Sequence, residues 1–157
     1  MGAIGDMANT QIVHRTYDDL LDLEDGTTDF DATKAAKGGA TTGLAYLDLG
    51  TGLVEGMIRI DVTSCEVATG DENYRVGVQL SSVTGFGSDM HESQALELGD
   101  ATTLEGDTDL GVGQYNIPFR NEVDGTVYRY MRLNVTVAGT IDSTGLKFRA
   151  YLAKATA

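Results

Sequence analysis

The sequence is short of several things at once. It has no Trp, one Pro, one Cys, and only 11 Lys plus Arg against 24 Asp plus Glu in 157 residues, a formal net charge of -13. A lone Cys65 excludes an internal disulfide framework and any Cys-based zinc site. The chain is therefore expected in a reducing compartment or indifferent to redox state. No apolar run approaches the ~20 residues of a membrane span, so a membrane is not an expected partner. Residues 1–6 carry neither a basic n-region nor an apolar h-region, and no secretory signal is expected there. The scarcity of base argues against nucleic acid, whose phosphates need clustered Lys and Arg. The length suits one domain, since most run to roughly 100–150 residues.

The acid is uneven. Residues 1–31 hold eight acids and one base, Arg15; the remaining 126 residues hold 16 acids and 10 bases. The first stretch is thus -7 and the rest -6. Ala32 to Thr42 is rich in small residues and reads as a linker or extended arm. The expected division is an acidic N-terminal arm and linker over 1–42 and a β-sandwich domain over 43–157. Within the arm, Tyr17, Leu20, Leu21 and Leu23 are apolar points among acids, and a helical turn or a strand is open there.

From Leu44 onward the hydrophobic period is two. Ile58, Ile60 and Val62 alternate with Met57, Arg59 and Asp61. The same holds for Val76, Val78 and Leu80; for Tyr115, Ile117 and Phe119; for Met131, Leu133, Val135 and Val137; and for Leu146, Phe148, Ala150 and Leu152. Shorter candidates are residues 45–49 and 95–98. Turn signals separate them at 50–52, 70–73, 124–125 and 142–145. Alternation means one face on a core and one in water, the usual antiparallel case. Seven or eight such strands predict an all-β fold, an antiparallel β-sandwich or jelly roll, with an extended N-terminal arm. The acidic, Gly-rich residues 99–113 read as a long surface loop.

Chemistry is sparse. His14 and His91 are far apart and lack partners in a metal-ligand spacing, and nothing marks His91 as the base a catalytic Cys65 requires. Asp22, Glu24 and Asp25 crowd oxygens together, but a calcium loop counted from Asp22 puts Gly26 at position 5 and Thr27 at position 6, so the register fails. The glycines of residues 84–88 have no Lys and open no helix, so they form no phosphate loop. No enzyme activity, metal or cofactor is expected. The basic residues make one feature: Tyr128, Tyr130 and Arg132 sit together in a strand with Arg129, and Tyr and Arg are enriched at protein interfaces.

Residues 44–153 resemble a group of tailed-bacteriophage capsid cement, or decoration, proteins with a jelly-roll-like fold. The likeness is carried by residues 46–50, by Val76 to Ser82 with Phe86-Gly87-Ser88, by Gly113 to Pro118, by Tyr128 to Thr140, and by the final strand from Leu146. It implies a non-enzymatic virion protein made in the host bacterial cytoplasm. Such a protein binds the outer surface of an assembled capsid and cements neighbouring major capsid protein subunits against internal DNA pressure. A homodimer, before a homotrimer, is the expected self-association. The residues expected to touch the capsid or a neighbouring copy are Tyr17, Leu20, Leu21, Leu23, Tyr128, Tyr130 and Arg132. Two other classes are left open: a carbohydrate- or receptor-binding sandwich of a phage tail or fibre, and a small hydrolase or lyase with a calcium-dependent acidic site.

Overall fold

The computed structural model describes residues 21–37 and 44–154. Among these residues there is no α-helix, and the strands form an antiparallel β-sandwich. The strands are β1 (Asp22–Asp25), β2 (Lys34–Ala35), β3 (Leu47–Asp48), β4 (Glu55–Cys65), β5 (Asn73–Ser81), β6 (His91–Gly99), β7 (Gly113–Arg120), β8 (Glu122–Val123), β9 (Thr126–Val127), β10 (Tyr130–Ala138) and β11 (Leu146–Lys154). One sheet runs β1-β11-β4-β7. The other runs β2-β10-β5-β6, with β3 pairing the same strand, β10, further along. The strands β2 and β3 act as two halves of one edge strand, because β2 meets Asn134 and Val135 while β3 meets Tyr130 and Met131. Taken so, the two sheets have the strand order of a jelly roll.

The period-two pattern explains the packing. Ile58, Ile60 and Val62 of β4 and Leu146, Phe148, Ala150 and Leu152 of β11 face Tyr74, Val76, Val78 and Leu80 of β5 and Met131, Leu133 and Val135 of β10. Pro118 lies on β7, an edge strand, where a missing N–H breaks no ladder. Its carbonyl accepts from Gln94 Nε2 at 2.8 Å. The facing edge, β6, is irregular between Val78 and Gln79 of its partner. A Pro, a bulge and a side chain on the carbonyl all oppose edge-to-edge pairing.

The structure differs from the expected division at residue 42. Residues 22–25 and 34–35 are strands of the two sheets, Leu23 is 4% exposed, and Phe30 is fully buried. Phe30 stacks on Phe148 with ring centroids 5.0 Å apart. Its backbone bridges Leu146, with its N–H donating to the Leu146 carbonyl at 2.8 Å. Gly145, at φ +67°, permits that approach, because a Cβ there would strike the Phe30 carbonyl. The acids that suggested a solvated arm are partly interior: Asp22 and Glu24 are buried. The Glu24 carboxylate accepts from the Lys37 N–H at 3.0 Å and the Thr28 N–H at 3.3 Å. Burial pushes its pKa above the usual value, and those two bonds only partly offset the push.

Two outcomes are expected. Phe30→Ala should lower unfolding stability by about 3–5 kcal/mol in a denaturant titration, the usual cost of emptying an aromatic core site. A chain begun at Leu44 should lose cooperative unfolding by circular dichroism. A sharp transition in that shortened chain would show that residues 22–37 are dispensable to the sandwich.

Candidate functional site

The antiparallel path sends the loops to two opposite ends. At one end lie residues 26–33, 66–72, 100–112 and 139–145. They contain Asp29, Asp31, Glu66, Asp71, Glu72, Asp100, Glu105, Asp107, Asp109 and Asp142, and no Lys, Arg or His. Lys34 and Lys147, on the adjoining strands, pair with Asp31 and Asp29. At the other end lie residues 49–54, 82–90 and 121–129, where Leu53, Val83, Met90 and Val127 are exposed. Exposed apolar side chains occur at the acidic end too, in Leu110 and Val112.

Several of the acids at the first end are tied into the backbone. Glu66 accepts from the N–H groups of Asp142 (2.6 Å), Ser143 (3.0 Å) and Gly145 (3.2 Å) and from the Ser143 hydroxyl. Asp71 accepts from the Thr140 N–H at 2.9 Å and from the hydroxyls of Thr140 and Thr69. Glu72, buried, accepts from the N–H groups of Thr69, Gly70 and Asp71. The bonds from the 140–145 loop hold Glu66 and Asp71 below the usual carboxylate range. For Glu72, burial works upward, but its bonds from Thr69 and Gly70 prevail and the net shift is also down. These carboxylates fasten the β4–β5 turn to the β10–β11 loop. Among the described residues no group of three or more His, Cys, Asp or Glu converges as a metal site. Cys65, at the end of β4, is half-buried and its thiol is pushed up to about 11, first by burial and then by Glu72 and Asp109. A thiol so held is a poor nucleophile near neutral pH.

The opposite end carries an aromatic and arginine cluster on the outer face of the second sheet. Tyr130 and Arg132 point outward from β10, since Met131 and Leu133 point in. Tyr46, just before β3, meets Tyr130 edge-on at 5.5 Å and Phe86 at 6.5 Å. Phe86 comes from the β5–β6 loop, is buried, and has a left-handed φ of 49°. That loop is closed by Asp89, which accepts from the Ser81 hydroxyl and the Ser82 N–H, both at 2.7 Å. The Arg132 guanidinium lies 4.4 Å from the Phe86 ring centroid, within cation–π range, and its Nε donates to Gln79 Oε1 at 2.7 Å. Burial moves Arg132 below its usual pKa. Nearby, Arg129 is held by Asp48 through Nε and Nη2 at 2.9 and 2.8 Å, which draws Asp48 down to about 2.

Of the residues expected to make contacts, Tyr130 and Arg132 are brought together. Tyr128 is separate: its ring stacks on His91 at 6.3 Å and packs against the core. Leu23 is a core residue and presents no docking side chain, while Leu21 is half-buried and packs on the core. Tyr17 and Leu20 lie outside the described residues. Tyr46, Gln79 and Phe86 join the cluster without having been singled out as contacts. The outward parity of Gln79 on β5, opposite Arg132 in the register, was the signal that could have found one of them.

The loops at this end are stapled by Asn121, which is buried. Its Oδ1 accepts from the Val54 N–H at 2.7 Å, and its Nδ2 donates to the carbonyls of Gly52 (3.0 Å) and Tyr128 (2.8 Å). The outer face of the first sheet has a shallow depression of about 270 Å³ lined by Met57, Arg59, Asn116, Tyr151 and Ala153. Compared with protein-family models, curated proteins and solved structures, the chain matches none.

The lowered carboxylates fix the sign of the pH dependence. Their unfolded forms take up protons first, so the stability they supply is present near neutral pH and is lost as pH falls below about 4.5. Glu24 runs the other way, since its raised pKa favours the folded state once it is protonated. Glu66, Asp71, Glu72 and Asp48, all lowered, oppose it, so the thermal midpoint should fall between about pH 4.5 and 3. Glu66→Gln should flatten that fall. An unchanged acid slope in Glu66→Gln would remove Glu66 from the explanation.

Proposed function

We propose that this chain is a structural, non-enzymatic protein of a tailed-phage virion that binds the outside of the assembled capsid and cements neighbouring major capsid protein subunits. The observation that carries the reading is the difference between the two ends of one rigid sandwich. Acidic loops without base crowd one end, while a Tyr–Arg cluster marks the other, with Leu53, Val83, Met90 and Val127 exposed there. Such a body can dock by the second end and leave the first in solvent, where its charge resists approach by polyanions. The buried Asn121 staple and the carboxylate-tied loops keep both ends fixed, which limits the ordering cost of binding. A ligand that binds only the assembled lattice stabilises it by mass action, and many copies add up. The resemblance of residues 44–153 to capsid cement proteins supports the same reading, and closed self-association, a dimer before a trimer, goes with it.

The depression lined by Tyr151, Asn116 and Arg59 favours a second reading, a carbohydrate- or receptor-binding module of a phage tail or fibre. It offers one ring and a few polar groups, the usual composition of a small-ligand site. Glycan-array binding that is lost in Asn116→Ala would favour it.

The test of the first reading is to add purified protein to expanded shells stripped of accessory proteins. Saturable binding at a fixed ratio to the shell protein is expected, with a higher temperature of shell rupture. Saturation with no gain in rupture temperature would leave a decoration without cementing, and absence of binding would refute the reading.

A further inference from the structure

Arg132 is the described arginine without an ion pair, in a protein with acid to spare. Arg59, Arg75, Arg120, Arg129 and Arg149 each lie within 4 Å of a carboxylate oxygen of this chain. Arg132, on a strand of the same sheet face as Arg75, has no such neighbour among the described residues, and its side-chain hydrogen bond goes to the neutral Gln79. It is nonetheless held in place, by Gln79 at Nε and by the Phe86 ring. The bond to Gln79 uses Nε, so the two terminal nitrogens keep their N–H donors for another acceptor. The loop that carries Phe86 is in turn closed on Asp89 with Phe86 at a positive φ. A half-buried guanidinium ordered by neutral groups alone has given up part of its hydration without a counter-charge, an arrangement that gains from a carboxylate supplied from outside.

We infer that Arg132 is the receptor for a carboxylate of the shell protein, an Asp or Glu side chain flanked by apolar residues. This rests on the shell-binding reading above and names the partner's chemistry. The flanks follow from the surroundings: Leu44 and Val83 are exposed beside the cluster of Tyr46 and Phe86 and call for apolar cover. A second copy of the chain is the weaker source of the carboxylate, because it brings a net charge of -13 toward a body of the same charge. Rings around a desolvated Arg have the composition of an interface hot spot.

The experiment has two parts. In the first, the intact protein is titrated with the peptide acetyl-Leu-Glu-Leu-amide and, separately, with acetyl-Leu-Gln-Leu-amide, while the Arg132 Nε–H resonance is followed by NMR. A saturable shift with the Glu peptide and none with the Gln peptide is expected; equal responses overturn the inference. In the second, Arg132→Met and Arg132→Lys are bound to stripped shells. Arg132→Met should bind about thirtyfold more weakly or worse, as a lost hot spot does, and Arg132→Lys should recover only part, since it keeps the charge but not the fork. Wild-type affinity in Arg132→Met overturns the inference. So does a self-association, seen by sedimentation, that Arg132→Met abolishes while shell binding persists. Should the wild type ignore shells yet respond to the Glu peptide alone, the carboxylate receptor stands and the shell reading falls. The peptide titration needs no variant, so it decides the matter even if Arg132→Met does not fold.

Discussion

The stack of Phe30 on Phe148 ties the loop that follows the first described strand, β1, to the last strand, β11. A jelly roll places its first and last strands side by side, so the sheet β1-β11-β4-β7 exists as four strands only if the chain's early residues come back to β11. That closure spans more than a hundred residues and must be held by contacts strong enough to offset the entropy of bringing the segments together. The observed contacts are a buried ring pair, the backbone bridge between Phe30 and Leu146, and the pairing of Asp22 to Asp25 with Tyr151 to Arg149. The rest follows from this closure. The β1–β2 loop lands beside the β10–β11 loop, and β2 lands on β10, so the facing sheet gains its edge as well.

The acids that dominate the composition have structural work within this frame. A chain with one Pro has few pre-set turns to stiffen its loops. Carboxylates take that role here by accepting from several backbone N–H groups of one loop, as Glu66 does from Asp142, Ser143 and Gly145 and Glu72 from residues 69–71. Asn121 does the same at the far end with a neutral amide, using both its donors and its acceptor. An acid serves at that end too, where Asp89 closes the β5–β6 loop, but only there, among the described residues, is a neutral amide used beside it. The surface ion pairs contribute little to stability by comparison, since exposed pairs are worth roughly 0–1 kcal/mol each.

The long strands were legible because burial of one face imposes a period of two that no other constraint interrupts. The apolar residues from Ile58 to Val62 and from Leu146 to Leu152 are cases in point and are buried; on β5 the same holds of Val76, Val78 and Leu80, but the outward Gly77 and Gln79 are covered as well. The strands β1 and β2 were not legible for a physical reason. β1 has a register irregularity between Asp22 and Glu24 that spoils alternation, and it buries two acids that composition assigns to solvent. β2 has only Lys34 and Ala35, too few residues to show a period. At the candidate site, Tyr130 and Arg132 could be read as neighbours from their spacing on one strand. Phe86 could not, because it reaches the face by a loop whose closure depends on Asp89 meeting Ser81 and Ser82 across seven or eight residues. Tyr128 was grouped with them wrongly, since β10 starts at Tyr130 and the chain before it has not yet entered the sheet.

The same geometry explains why an unpaired arginine survives in an acidic protein. The outer-face neighbours of Arg132 across the ladder and along it are fixed by register: Gln79 lies directly opposite on β5, and Tyr130 and Asn134 flank it on β10. None of these carries a charge. On the neighbouring strand β6, Glu92 lies over Gly77 and is engaged by Arg75. A Cβ at residue 77 would meet the Glu92 carboxylate and push that side chain aside. Arg75 thus holds Glu92 and Glu97, two acids of β6 on this face. The guanidinium of Arg132 is left with aromatic and amide company, oriented but not neutralised. An isolated charge kept in that state costs stability in the free protein, and the cost is recovered when a carboxylate arrives from outside. The electrostatics of the free protein and its capacity to select an acidic partner are therefore one property, set by the register of β5 against β10.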